Sequence, residues 1–352
     1  MLPLDRRAAR NPSRDYPPSR MESTATLDAL LAAARAGDDD AYARLVGAHR
    51  GELHAHCYRM LGSLHDADDA LQDTLLRAWR GLPGFRGRSS LRTWLYRIAT
   101  NVCLDAIARR PKRVLPIDYE AEERDATLWI EPYPDAGVED GHTAPEARYE
   151  RREALELAFV AALQHLPPRQ RAALIARDVL GLSAKEAAES LETTVASVNG
   201  ALLRARRTVA ERLPERSQQA TLRTLGDRRL REIVERFADA FERGEVDAIL
   251  DLLADDATFS MPPYPDRYEG REAIASSWLM PSGPPPRLRY VATRANGQPA
   301  LATYLLDPTA GVYIPLALDV LSLDGDRITD VTAFRTPALF PRFGLPERIG
   351  EP

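Results

Sequence analysis

Apolar residues recur at three- and four-residue intervals through most of the chain up to Phe241, and the pattern predicts successive helices. Two neighbouring helices are read most clearly. In DADDALQDTLLRAWRGL, Leu71, Leu75, Ala78, Trp79 and Leu82 form an inward stripe, and Asp69, Gln72, Asp73, Leu76 and Arg80 form a second one. In LRTWLYRIATNVCLDAIARR, capped by Ser89 or Ser90, Leu91, Trp94, Leu95, Ile98, Val102 and Ala106 point inward, leaving Arg92, Arg97 and Asn101 outside. Upstream, a short helix precedes a longer one whose inward stripe is Leu45, Val46, His49, Leu53 and Cys57.

Residues 115–150 break the periodicity. They carry eleven acids against Arg124 and Arg148, with Pro116, Pro132, Pro134 and Pro145, and so predict an extended linker. Trp129, Ile130 and Tyr133 within it are apolar enough to seek cover. From residue 150 to 213 the helical period returns, striped by Leu155, Ala158, Phe159, Ala162, Leu163 and Leu166. Ser183 and Glu186 make a capping box ahead of AKEAAESL, and VASVNGALLRARRTVAERL follows after a tight turn. This is a helix-turn-helix pattern whose second helix presents Ser197, Gly200, Ala201, Arg204 and Arg207, with Asn199 at the margin.

The polar ERSQQATLRTLGD separates that unit from a different pattern. A helix from Leu230 to Phe241 and the helices VDAILDLLA and GREAIASSW accompany strand-like runs ATFSM, RLRYVATRA, PALATYLLD, VYIPLALDVLSL and RITDVTAFR. ANGQ and DGD supply turns.

Charge changes this picture more than composition does. The net charge of −5 hides segregation: Leu76 to Arg113 holds ten Lys/Arg and one acid, Asp105, a composition suited to nucleic acid. An exposed Leu76 among acids suits a basic protein partner. No apolar run reaches membrane-spanning length, and residues 1–22 lack the apolar core of a secretory signal. They are expected to be a disordered extension. Cys57 and Cys103 lack CxxC spacing and fit a reducing, cytoplasmic setting. His54, His56, Cys57 and His65 are too tightly spaced for a structural zinc site. The C-terminal part has no His or Cys, leaving Asp256, Asp266, Tyr264, Tyr268, Tyr304, Asp319 and Asp330 as its acid–base candidates.

DALQDTLLRAWR and FRGRSSLRTWLYRIATNVCLDAIARR resemble region 2 of bacterial RNA polymerase sigma factors of the extracytoplasmic-function type. LPPRQRAALIARDVLGLSAKEAAESL with its RAR tail resembles sigma region 4, and DLLADDATFSMPPYPDRYEGREAI resembles the SnoaL-like branch of NTF2-like cones. The three-part order is most similar to the sigma-G-like group.

The resemblance implies a multidomain fold: an all-α region 2 (23–113), an acidic linker (114–149), an all-α helix-turn-helix region 4 (150–216), an α+β NTF2-like cone (227–345) and a tail (346–352). It implies binding to core RNA polymerase, through the beta' clamp and beta flap, and to promoter DNA. Asp69, Gln72, Asp73, Leu76 and Arg80 would meet polymerase. Phe85, Arg86, Arg92, Trp94, Arg97, Asn101, Arg109 and Arg110 would meet the −10 element. Ser197, Asn199, Gly200, Ala201, Arg204 and Arg207 would meet the −35 element, although many relatives carry Lys-Ser-Arg in place of Asn199-Gly200-Ala201. Trp129, Tyr133, Phe340 and Phe343 are expected to join the cone to the sigma regions: the C-terminal stretch TPALFPRFGLPERI would clamp the cone onto region 2 or the linker, so that the cone controls the factor in cis. No cofactor, metal, membrane contact or catalysis is expected, and a small ligand in the cone stays open. The alternative is a SnoaL-type enzyme or small-molecule sensor fused to a DNA-binding regulator.

Overall fold

The computed structural model describes residues 20–109, 113–115, 128–135, 153–214, 216–276 and 286–350. Five helices come first: α1 (Arg20–Arg35), α2 (Asp39–Gly47), α3 (Arg50–Leu61), α4 (Leu64–Gly81) and α5 (Leu91–Ile107). Side-chain oxygens set the starts of α2, α4 and α5. Asp38 accepts from Ala41 N, Ser63 from Asp66 N, and Ser90 rather than Ser89 caps α5 through Thr93 N. Each such cap contributes about 1 kcal/mol. Residues 1–19, most of the expected N-terminal extension, lie outside the described residues.

Helix α3 is the axis of the helical body. Its residues Ala55 to Leu61 are all buried, more than a single amphipathic stripe allows. The cause is that α3 is covered by α4 and α5 and also by α6 (Leu157–Gln164) and α7 (Pro168–Leu174), which belong to the second helical unit. Polar groups cross the same boundary. Arg59 Nε donates to Ala154 O at 2.9 Å. Arg171, nearly fully buried, donates to Met60 O and, at 2.6 Å, to Gln164 Oε1. Burial lowers the Arg171 pKa to about 10. Gly62 ends α3 at φ 71, and a Cβ there would stand 3.2 Å from Gln164. After a π turn over Ile175–Val179 come α8 (Ala184–Ser190) and α9 (Val195–Ala210).

The linker, expected to be extended, is structured where it is described. Strand β1 (Arg113–Val114) pairs in parallel with β2 (Leu128–Trp129). Glu131 Oε2 then accepts from Ser63 Oγ, Leu64 N and His65 N at 2.8–3.2 Å, occupying the N-terminus of α4, where the helix dipole favours a carboxylate. Ile130 and Tyr133 are each 1% exposed.

The polar ERSQQATLRTLGD, read as a separator, is helical from Gln218. Helix α10 (Gln218–Arg243) runs through a kink at Gly226, φ 73. The polarity misleads because these side chains serve the sheet's backbone. Gln218 exchanges two hydrogen bonds with the main chain of Leu323, and Gln219 Nε2 donates to Gly297 O at 2.7 Å.

The rest of the chain adds α11 (Val246–Leu252), α12 (Arg271–Ile274) and strands β3 (Leu253–Ser260), β4 (Arg267–Glu269), β5 (Leu288–Ala295), β6 (Gln298–Asp307), β7 (Val312–Asp324), β8 (Arg327–Phe334) and β9 (Ile349–Gly350). The sheet order is β4-β3-β8-β7-β6-β5, with β9 beside β7; β3 and β8 are parallel and the other pairs antiparallel. Helix α10 lies across β5, β6 and β7. One hydrophobic cluster runs unbroken from α2 and α3 through Ile130 and Tyr133 to Leu155–Ile175 and on to Ala295, Tyr304 and Phe340. A second fills the space between α10 and the sheet.

Candidate nucleic-acid and protein-docking surfaces

On α4, burial of Ala67, Ala70, Leu71, Thr74 and Ala78 turns the opposite face to solvent. Asp69, Gln72, Asp73, Leu76 and Arg80 are all exposed on it, Leu76 at 48%. Beside them a groove of about 710 Å³ opens toward α2, lined by Tyr42, Arg50, Leu75 and Trp79. Tyr42 anchors its floor by donating to Leu75 O at 2.5 Å and meeting Trp79 edge-on at 4.8 Å. Burial pushes its pKa up to about 12, so it remains a donor.

The −10 set divides. Phe85 and Trp94 are each 8% exposed and stacked at 5.1 Å, so they are core residues and not free contacts. Arg35 lies over the Phe85 ring and donates to its carbonyl, while the Trp94 indole lies against Gly81 at the end of α4. Arg92 is engaged: its Nε donates to Glu52 Oε2 at 2.8 Å and its guanidinium covers the Tyr96 ring. Asn101 is half-buried, and Arg110 lies outside the described residues. Arg86, Arg97 and Arg109 are exposed and form the open basic surface.

In the helix-turn-helix, the capping box closes as expected: Ser183 N donates to Glu186 Oε2 at 2.8 Å and Glu186 N to Ser183 Oγ at 3.2 Å. Thr194 caps α9, which buries Val198, Leu202, Ala205 and Val209. Ser197, Asn199, Arg204 and Arg207 are exposed, whereas Gly200 and Ala201 are half-buried, Ala201 against the small core of this unit. Asn199 is therefore on the open face and Ala201 is at the margin, the reverse of the expected placement. Arg206 is held by Asp178 at 2.6 and 2.9 Å. Leu203, which the sequence reading passed over, is 73% exposed between Asn199 and Arg207. An apolar position breaking the inward period was its signal.

The interdomain set converges in part. Tyr133 stacks on Tyr58 at 4.5 Å, and its hydroxyl pairs with His54 Nδ1 at 2.8 Å. Its main chain pairs reciprocally with Asn296: Tyr133 N donates to Asn296 Oδ1 and Asn296 N to Tyr133 O, both at 2.8 Å. Asp135 accepts from Gly297 N at 2.7 Å and from Arg294 Nε at 3.1 Å. The Asn296-Gly297 turn between β5 and β6, both residues at positive φ, thus docks the cone on the linker. Gln298 Oε1 accepts from Leu157 N, and Glu156 Oε1 accepts from Gln219 N, tying the cone to the second helical unit. Trp129 is half-buried. Phe340 packs edge-on against Tyr304 of the cone at 5.2 Å, within the hydrophobic cluster that also holds Ile130 and Tyr133. Phe343 is half-buried and lines a cleft with Pro134 and Asp135. From the C-terminal stretch after β8, Arg342 reaches Asp68 of α4 at 2.9 Å.

His54 also approaches Asp68 at 3.2 Å, and His56 pairs with Thr100 at 3.0 Å. Cys57 and Cys103 are buried together. Among the described residues no His/Cys/Asp/Glu group has metal-binding geometry.

Two helical units, carrying an exposed acidic face, a basic face and a helix-turn-helix, are joined to a mixed α/β cone. Family models agree segment by segment: Sigma-70 region 2 over residues 45–113, Sigma-70 region 4 over 156–209 and a SnoaL-like domain over 234–331. The chain is 42% identical over 320 residues to the ECF RNA polymerase sigma factor SigG of Mycobacterium tuberculosis, covering 86% of this chain and 83% of that one. SigM of the same organism is 35% identical over 184 residues, 52% of this chain and 83% of its own. The crystal structure of Mycobacterium tuberculosis SigJ shares the fold, with a TM-score of 0.54 at 20% identity, over 85% of this chain and 98% of that one. The chain belongs to the extracytoplasmic-function RNA polymerase sigma factors, with a SnoaL-like domain at its C-terminal end.

Proposed function

We propose that this protein binds core RNA polymerase through the α4 face and directs promoter recognition and opening, and that its SnoaL-like cone controls this activity in cis. The docking role rests on the exposed Asp69, Gln72, Asp73, Leu76 and Arg80. Arg86, Arg97 and Arg109 serve the −10 side, and Ser197, Asn199, Arg204 and Arg207 the −35 side. The site of action is the cytoplasm, where polymerase works; no described helix is long and apolar enough to cross a membrane.

The observation that carries cis control is the direct packing of α3 against α6 and α7 under the cone's docking turn. Promoter elements named −35 and −10 lie about 25 base pairs apart, or about 85 Å at 3.4 Å per pair. Two units sharing one core cannot span that distance. The described arrangement is therefore a latent state, and polymerase binding must separate the units. Interfaces of this kind, rich in satisfied polar contacts, are open to such a shift.

Promoter-directed transcription with purified core polymerase tests both parts. Full-length protein should support initiation only with core enzyme and an added promoter. Cross-linking α3 to α6 through introduced cysteines should abolish it reversibly. Initiation that survives the cross-link would overturn the latent-state reading, and failure of the protein to co-purify with core polymerase would overturn the sigma role. No observation favours a catalytic cone: the family's members are initiation factors.

A further inference from the structure

Six large apolar side chains are exposed among the described residues, and two of them, Val195 at 42% and Leu203 at 73%, stand on α9. A single exposed apolar residue needs no explanation. These two are eight positions apart with the exposed Asn199 midway, so the three share one row within about 80° of the helix circumference. Folding of α9 uses none of them. Val198, Leu202, Ala205 and Val209 supply its inward stripe, and Thr194 caps its N-terminus by accepting from Ser197 N at 3.1 Å.

Gly200, beside the row, points the same way. Glycine inside a helix is less stable than alanine, because it has more backbone freedom to lose. A Cβ at Gly200 would meet only Arg204 Nη1, at 3.6 Å, an ordinary contact. Nothing within the described chain calls for glycine there. The missing side chain lowers the helix surface next to Leu203, where another molecule can approach closely.

Charge and fold set the occupant. Helix α9 carries no acid, and the exposed Arg204 and Arg207 follow the uncharged N-terminal half. That order suits a recognition helix whose N-terminal residues meet base edges while arginines grip phosphates. In the major groove an amide pairs with adenine, Arg or Lys pairs with guanine, and apolar side chains meet the thymine methyl. The row holds one amide, two apolar groups and no cation, so its chemistry fits A·T pairs. Its length of about 12 Å spans about three to four base-pair steps.

We propose that Val195, Asn199 and Leu203 select A·T pairs in the −35 element, Asn199 by pairing with adenine and the two apolar side chains by covering thymine methyls about three to four steps apart. This specificity rests on the reading of α9 as the −35 helix, and adds to it the base pairs that α9 selects.

The test uses full-length protein assembled with core polymerase to select promoter DNA from a pool randomised at the −35 region. The selected duplex is then remade with uracil in place of thymine, which removes the methyl and leaves base pairing intact. Selection should enrich A·T pairs, and uracil at either contacted thymine should weaken parental binding about fourfold, the worth of one buried methyl. Leu203→Ala should lose the thymine preference at one position and Val195→Ala at the other, with Asn199→Ala losing the adenine preference between them. Gly200→Ala should melt at or above the parental temperature and still bind the thymine duplex more weakly. Equal parental affinity for the thymine and uracil duplexes, a thymine preference that survives both apolar variants, or enrichment of G·C pairs across the region would each overturn the proposal and leave α9 as the reader. Enrichment of no −35 base at all would overturn the −35 assignment of α9, and the row's specificity with it.

Discussion

Asn296 Nδ2 donates to Tyr58 Oη at 2.8 Å across 238 residues of sequence, and Tyr58 passes the chain on by donating to Glu131 O at 2.8 Å. Both side chains are fully buried, and Asn296 also donates to Leu155 O at 2.9 Å. A single turn residue of the cone thus satisfies the first helical unit, the linker and the second unit together. Asn296 holds φ 56, a left-handed conformation that asparagine tolerates better than alanine. Asn296→Ala should therefore strand Tyr133 N and Leu155 O and loosen the cone by roughly 2–4 kcal/mol. Small-angle scattering should show an expanded particle, and promoter-directed transcription should rise. An unchanged scattering profile would remove Asn296 as the latch.

His56 gives a pH prediction. Thr100 spends its proton on Tyr96 O at 2.7 Å, so His56 Nε2 must donate to Thr100, leaving Nδ1 buried without a partner. Burial, with Arg59 and Arg92 nearby and only Glu52 opposing them, depresses its pKa from 6.5 to about 3. As pH falls below 6.5 the unfolded chain gains a proton that the folded one refuses. Stability falls on that side, at up to about 1.4 kcal/mol per pH unit for one group. Glu156 and Asp319, both raised to about 7, act in the opposite direction between their ordinary values and 7. The comparison of parent and His56→Leu isolates the histidine. Between pH 6.5 and 4, the variant should lose less stability in urea titrations than the parent.

For polymerase docking, Asp73 sits at the centre of the exposed α4 face and its side chain supports nothing in the fold. Asp73→Arg should weaken core binding by about 1–3 kcal/mol, the range for a desolvated charge pair, with the melting temperature unchanged. Pull-down titration measures it, and undiminished affinity would reassign the face.

What the sequence made legible was local. The α4 and α5 stripes, the Ser183–Glu186 box, the strand runs and both turns follow from spacing that neighbouring residues determine. What it hid was every polar residue whose partner is distant. Asn296 and Gln298 read as parts of the ANGQ turn, and Gln218 and Gln219 as parts of a polar separator, because nothing local shows that backbone from another segment will meet them. Phe85 and Trp94 entered the −10 set through the resemblance, although the α5 stripe already pointed Trp94 inward; Arg35 and the end of α4 close over the pair. Within the −35 set, Ser197, Arg204 and Arg207 were legible as solvent-facing; Asn199 was placed at the margin and Leu203 was passed over, although both are exposed.

On α9, Leu203 protrudes between Asn199 and Arg207 where a base edge would lie, and apolar side chains there meet thymine methyls. Leu203→Ala should reduce −35 discrimination by about 1 kcal/mol without altering the salt dependence of binding, since no charge is lost. Arg207→Ala should instead lower the salt slope if it grips phosphate. Holoenzyme binding measured across salt concentrations on matched and mutated promoters separates the two roles, and indifference to both substitutions would remove α9 as the reading helix.

The tail invites removal, but the structure argues for a finer cut. Deleting residues 337–352 would take away Phe340, the carbonyl of Pro346 that accepts from Tyr304 at 2.9 Å, and the β9 pairing of Ile349 with Tyr313. The cone would lose part of its own core, so altered transcription after such a deletion would not identify a clamp. Arg342→Glu removes only the contact with Asp68, and the two side chains are 46% and 39% exposed. Ion pairs at that exposure contribute about 0–1 kcal/mol. If the latch is the Asn296 turn, Arg342→Glu should change transcription less than twofold, while Asn296→Ala changes it several-fold. If the tail is the latch, the order reverses, and Asp68→Arg combined with Arg342→Glu should restore the parental level. Transcription from the single variants and the charge swap decides between the two, because the swap rebuilds the contact with position 342, and Asp68→Arg alone controls for the loss of the His54–Asp68 pair.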